Sequence, residues 1–172
     1  LFQFVKRGNH NDSTKVDDLV KKIVVQTDGG CRDNPGPGAW AFVLLTNEND
    51  SVHEHSGFLP HCTNNQAEYR ALEAACISLC HLQDIEKVHE INIFSDSQLI
   101  VEQINQRWQV RDVDLRPYYL SANTAFNKLC SVCPTTLTWF RREHNTKADA
   151  LCNRVMDRHG IVCSLKGKRR DD

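Results

Sequence analysis

The chain has 172 residues, 40% hydrophobic and 25% charged, enough for one globular domain with its own core and outside the composition of disordered chains. Its 21 Lys and Arg stand against 22 Asp and Glu, a formal charge of −1, which excludes nucleic-acid binding by global charge alone. The longest apolar run, Ala39–Leu45, is far short of the ~20 residues that a membrane span requires. The near-neutral total conceals an asymmetry. Residues 1–106 carry 8 basic and 15 acidic side chains, a net of −7; residues 107–172 carry 13 and 7, a net of +6.

Residues 1–20 are polar and patternless and read as a tail or linker. They hold no long apolar stretch and include Asp12, Asp17 and Asp18, so they do not form a secretory signal. The first residue is Leu rather than Met, which suggests an excised or processed piece. A domain is expected over residues 21–162, followed by a charged tail over 163–172. Ile23–Thr27 is a β-prone run that stops at Asp28-Gly29-Gly30, and residues 31–38 form a turn-rich loop. Gly38–Thr46 is apolar on both faces, as in a buried strand. Asn47–Asp50 reads as a hairpin turn and Ser51–Leu59 as a third strand.

Residues 66–82 are rich in Ala and Leu and free of Gly and Pro, which predicts a helix, with Thr63 and Gln66 as a capping box. Glu90–Phe94 is a strand. Asp96–Gln106 is a helix for which Ser95 and Gln98 offer a second capping box. Leu115–Cys130 is a helix, Thr135–Phe140 a strand, and Thr146–Arg158 a helix ended by Gly160. The order β-β-β-α-β-α-α-β-α predicts an α/β fold. Three leading antiparallel strands are joined by parallel additions in a mixed five-stranded sheet, with helices on both faces.

Eight cysteines are present. Cys76, Cys80 and Cys152 fall in apolar helical stretches, where free Cys serves as a small hydrophobe, so free thiols and a reducing compartment are expected. Cys130 and Cys133 form a lone CxxC at a helix end before Pro134. It has no further ligands for zinc and the wrong position for a redox motif. Trp40 and Trp139 lie in strands and are expected in the core.

Four segments together carry a resemblance. They are DGGCRDNPGPGAW at 28–40, TNNQAEYRAL at 63–72, SDSQLIVEQIN at 95–105 and HNTKADALCN at 144–153. In this order, spanning residues 23–160, they resemble the four motifs of type 1 ribonuclease H, and the fold expected is the ribonuclease H-like one. Neither composition nor periodicity selects four acids out of 22. The resemblance does, implying that Asp28, Glu68, Asp96 and Asp149 are catalytic metal-binding carboxylates. Physical chemistry agrees. Asp28 and Asp96 are read at carboxyl ends of strands, where α/β sheets form sites. Glu68 and Asp149 are read in the first turns of helices, where the dipole favours a carboxylate. Four converging acids repel unless hard cations intervene, which suits two Mg²⁺ ions, with Mn²⁺ as a substitute. Taken singly, each acid reads equally as a cap or a solvated surface group.

The resemblance further implies substrate contacts at Cys31, Asn34, Thr63, Asn64, Asn65 and Gln98. Asn and Gln amides both donate and accept, as does the 2′-OH that marks RNA. Asn64 and Asn65 serve equally as helix caps, and Asn34 as a turn residue. Family members that carry a mobile-loop His have it well upstream of the last Asp. Here the nearest candidate for catalytic help is His144, five residues before Asp149, with a surface His as the plainer reading. Asp149 stands amid Arg141, Arg142, Lys147 and Arg154. The chain lacks room for the basic, Trp-rich protrusion of some members. Arg107 and Trp108 remain as candidate nucleic-acid contacts, Trp108 by stacking.

The activity implied is hydrolysis of the RNA strand of an RNA–DNA hybrid, leaving 5′-phosphate and 3′-OH ends. Two alternatives are the same domain within a retroelement polyprotein and a non-catalytic nucleic-acid-binding domain of the same fold. A monomer is expected, in an intracellular and most simply cytoplasmic location, with no membrane partner.

Overall fold

The computed structural model describes residues 22–46 and 52–160. The expected tails at 1–20 and 163–172 and the hairpin turn at 47–50 lie outside the described residues. Five strands, β1 (Lys22–Cys31), β2 (Gly36–Thr46), β3 (Val52–Cys62), β4 (Glu90–Ser95) and β5 (Thr135–Trp139), form one sheet in the order β3-β2-β1-β4-β5. β1, β2 and β3 pair antiparallel, while β4 and β5 are added parallel to β1. Four helices join them: α1 (Asn64–Cys80), α2 (Gln98–Ile104), α3 (Arg116–Val132) and α4 (Thr146–Arg158). This is the expected element order and the expected mixed sheet.

Alternation along the strands sends side chains to two cores. On one face Val25, Phe42, Ile91 and Ile93 pack with Tyr69, Leu72, Ile100 and Leu129 from α1, α2 and α3. On the other, the small residues Ala39 and Ala41, with Val43, let α4 lie close through Ala148, Leu151, Cys152 and Val155. The site lies between these layers, where α1 and α4 approach β1 from opposite faces.

β1 and β2 run further than the sequence suggests. Their ladder continues through Gly29↔Trp40, Gly30↔Ala39 and Cys31↔Gly38, so only residues 32–35 form the expected loop. Glycine is needed at 29 for packing: a Cβ there would lie 2.2 Å from the Ala67 carbonyl carbon and 2.4 Å from the Glu68 nitrogen. The Thr63–Gln66 capping box forms as expected, with Gln66 N–H donating to Thr63 Oγ1 at 3.2 Å and Thr63 N–H donating to Gln66 Oε1 at 3.0 Å. The Ser95–Gln98 box does not. α2 starts two residues later, at Gln98, because Ser95 still belongs to β4 and its Oγ accepts instead from Ser97 N–H at 3.1 Å. The seven described cysteines are free. Among the described residues, no helix is long and apolar enough to cross a membrane.

Candidate active site

Asp28 lies inside β1, one residue past the end of the parallel ladder, where Thr27 pairs with Ser95. Its other neighbour is β2, through Ala41, and the residue is only 7% exposed. Asp96 follows the last residue of β4 and so emerges beside it. Glu68 is brought in by the close contact of α1 with Gly29. Oxygens of Asp28, Glu68 and Asp96 all lie within 4.8 Å of one another. They line a cleft of about 310 Å³ that Asp149, Arg142 and Asn64 also border.

Three carboxylates at this range cannot all stay ionised without compensation. Burial, then the charges of Asp96 and Asp149, push the Asp28 carboxyl from 3.8 up to about 7. Burial, then the charges of Asp28 and Asp96, hold Glu68 well above the ordinary range, with Arg142 and a hydrogen bond from the Gly29 backbone opposing. Glu68 belongs to the second turn of α1, beyond the reach of the helix dipole that the sequence suggested, so burial sets its charge state. Its Oε2 is buried with no hydrogen-bond partner. An orphaned buried oxygen beside two further carboxylates fits a hard divalent cation, which would satisfy all three at once.

Asp149 is different. Arg142 Nη2 donates to its Oδ1 at 3.1 Å, and Asn153 Nδ2 donates to its Oδ2 at 3.0 Å. Arg142 also places Nε 4.0 Å from Asp96 Oδ2. Arg142 opens a short 3-10 turn, Arg142–His144, whose residues step by about 120°. His144, two positions on, therefore projects elsewhere: it is not among the cleft-lining residues, and its Nε2 lies 3.9 Å from Glu143 Oε1 at the surface. The basic side chain that reaches the acids is Arg142, which the sequence presented only as part of Asp149's basic surroundings.

Cys31, Asn34 and Asn64 meet at the cleft edge. Asn64 Oδ1 accepts from Cys31 N–H at 2.9 Å, and Asn34 Oδ1 accepts from Asn64 N–H at 3.1 Å. Both amide oxygens are thus used inside the protein, while both NH₂ groups remain for a ligand. Thr63 Oγ1 accepts within the capping box, and its O–H can still donate. Asn65 and Gln98 are exposed on the first turns of α1 and α2. Arg107 is engaged with Glu102, Nε to Oε2 at 2.5 Å and Nη2 to Oε1 at 2.9 Å. Trp108, 48% exposed, borders a second hollow with Arg116 and Tyr119. Trp40 packs against the core, but Trp139 does not belong to it. Trp139 is 43% exposed, because it ends the edge strand β5, and its Nε1 donates to the Asp96 carbonyl at 3.1 Å.

Sequence reasoning missed one more residue at the site. Asn145 is fully buried, and its Nδ2 donates both to the Thr27 carbonyl and to Asp96 Oδ1, each at 2.9 Å. Its place just before a helix reads as an ordinary cap, and nothing in the spacing separates the two roles.

The comparisons with known proteins agree with this fold. A family described as reverse transcriptase-like matches residues 26–155. Ribonuclease HI of Halobacterium salinarum is 33% identical over 155 residues, 89% of this chain and 74% of that protein. A bifunctional protein of Mycobacterium tuberculosis is 36% identical over 139 residues, 79% of this chain. The chain spans only 36% of the length of that relative. The solved RNase H domain from the N terminus of that protein superimposes with a TM-score of 0.71 at 34% identity, covering 81% of this chain and 96% of that one. A compost-derived RNase H1 solved with an RNA/DNA hybrid gives 0.67 at 29% identity, covering 81% and 99%. The five-stranded mixed sheet and the acidic cleft define a ribonuclease H-like α/β architecture whose acids could hold a metal ion. The chain belongs to the ribonuclease H family, type 1.

Proposed function

We propose that the chain is an endoribonuclease that hydrolyses the RNA strand of RNA–DNA hybrids, using Mg²⁺, or Mn²⁺ in its place, and leaving 5′-phosphate and 3′-OH ends. The observation that carries this reading is the cluster of Asp28, Glu68 and Asp96 within 4.8 Å, with an orphaned Glu68 oxygen, in a chain of this family. Divalent cations, if held here, would activate the attacking water and neutralise the leaving oxygen. The protein's part is to hold them: Asp28, Glu68 and Asp96 from the buried side, and Asp149 from α4 opposite. Arg142 lends positive charge to the same cleft, where a scissile phosphate would carry negative charge. The free NH₂ groups of Asn34 and Asn64, with Cys31, Thr63, Asn65 and Gln98 around them, are suited to the 2′-OH and phosphates of the hybrid. Trp108, with Arg107 nearby, is assigned to stacking further along the duplex.

The test uses a hybrid with labelled RNA. Cleavage that needs Mg²⁺ or Mn²⁺, leaves 5′-phosphates and disappears in Asp96→Asn supports the reading. An RNA strand left intact by the wild-type chain would sink it, and equal cleavage of single-stranded RNA would sink the hybrid specificity.

A further inference from the structure

We propose that Asn145 is a positioning residue that sets the Asp96 carboxylate and the end of β1 in one register, and so shapes the cation site. The inference rests on the hydrolytic reading of the cleft.

An Asn before a helix ordinarily turns its side-chain oxygen onto the first free N–H groups of that helix. Asn145 stands at that place for α4 and makes no such bond. Its side chain instead points inward and is fully buried. Both N–H groups of the amide cross to other elements, one to the Thr27 carbonyl beside Asp28 and one to Asp96 Oδ1. Its Oδ1 is left buried without a partner. A residue serving only α4 would use that oxygen for the cap. This one forgoes the cap to deliver two donors, 118 and 49 residues away in sequence. Its backbone adds a third link, since the Asn145 carbonyl accepts from Asp149 N–H at 3.0 Å. One residue thus joins the neighbour of Asp28, the carboxylate of Asp96 and the amide of Asp149.

The chemistry requires this side chain. Two donors on one uncharged nitrogen, at this reach, describe Asn; Asp has none when ionised, Ser has one, and Gln is a methylene longer. With Oδ1 of Asp96 held, the carboxylate cannot rotate freely, and Oδ2, 4.0 Å from Arg142 Nε, is the oxygen that a cation would take in competition with that guanidinium. Partners that orient metal-binding carboxylates in this way typically carry 10–100-fold in metal affinity or activity.

The experiment compares wild type with Asn145→Asp, which keeps the shape and removes both donors, and Asn145→Ser, which keeps one donor. Mn²⁺ binding to the substrate-free protein is followed by calorimetry and by the Mn²⁺ spin-resonance line shape. Steady-state hybrid cleavage gives kcat and KM separately, and near-UV circular dichroism reports the fold. The expected result is Mn²⁺ binding weakened at least tenfold in Asn145→Asp, a fall in kcat of about a hundredfold with KM little changed, and a partial effect in Asn145→Ser. Unchanged Mn²⁺ binding in a folded Asn145→Asp overturns the proposal, whatever happens to cleavage. Loss of the fold in both variants makes Asn145 a structural residue and overturns it as well. A wild-type chain that binds Mn²⁺ in an Asn145-dependent way but leaves every hybrid intact would instead remove the ribonuclease reading and keep the positioning role.

Discussion

Asp28, Glu68 and Asp96 converge from β1, α1 and the end of β4 into a partly buried space, with one oxygen left entirely unpartnered. Asp149, from the opposite side of the same cleft, has both oxygens hydrogen-bonded, one by Arg142 and one by Asn153. The residue type is the same or nearly so, yet the electrostatic situations are opposed. The first group is held together against repulsion and gains most from a cation. The second is already neutralised by the protein, so a cation using Asp149 must share it with Arg142. Burial and the choice of neighbours create this difference.

The comparison breaks most completely at Asp28. Asp28→Asn is expected to lower hybrid cleavage by at least about a thousandfold, because it removes the carboxylate shared by the whole cluster. The same change is expected to raise the thermal midpoint of the metal-free protein at pH 8, since it deletes a charge the fold holds under strain. Thermal unfolding in a chelator, beside the cleavage assay, checks both halves. A lowered midpoint would show that the acids are not under mutual repulsion.

Next comes Gly29→Ala. The added methyl must push the α1 backbone off β1, because the atoms it meets are main-chain atoms of Ala67 and Glu68. A loss of about a hundredfold in kcat is expected from the shift of Glu68, with destabilisation of about 1–3 kcal/mol, readable by chemical denaturation.

The pH profile of the metal-free protein sharpens the contrast without mutation. With its pKa raised from 3.8 to about 7, Asp28 binds a proton in the folded state that the unfolded chain has already released. Stability therefore falls as pH rises through that window and levels off above it, with an Asp28 contribution of up to about 4 kcal/mol. Glu68 acts in the same direction. Saturating Mn²⁺ should remove most of the fall. Stability that instead rises from pH 4 to 7 would contradict the assigned directions.

Arg142→Ala is expected to act on the other side. It should tighten cation binding near Asp149 a fewfold and lower kcat by about tenfold, because positive charge is lost beside the phosphate. Calorimetry and kinetics together separate the two effects. His144→Ala, outside the cleft, should cost less than about threefold in kcat. A loss equal to that of Asp28→Asn would show that His144 reaches the reacting atoms.

Much of the candidate site was legible before any tertiary contact was known. The acids fall in motifs whose order is itself specific, and Thr63 with Gln66 announces the start of α1 through a local bond pattern that the structure repeats. What failed was whatever depended on a neighbour distant in sequence. Ser95 resembles a cap until β4 claims it, Trp139 resembles core until β5 proves to be the sheet edge, and Asn145 resembles a cap until its amide is seen crossing to Thr27 and Asp96.

By itself, then, the sequence determined the succession of strands and helices, the free thiols, and which four acids to watch. The first two follow from local periodicity and composition, the last from the resemblance that the four motifs carry. Only the tertiary structure decided that three of those acids share one space while the fourth is paired with Arg142. Strand register and helix approach set those distances, through contacts as specific as the bare glycine that lets α1 rest on β1. The charge balance is sharpened in the same way. The net −1 of the whole chain says little, because what matters is where a carboxylate is buried and which cation, the protein's own or another, lies beside it.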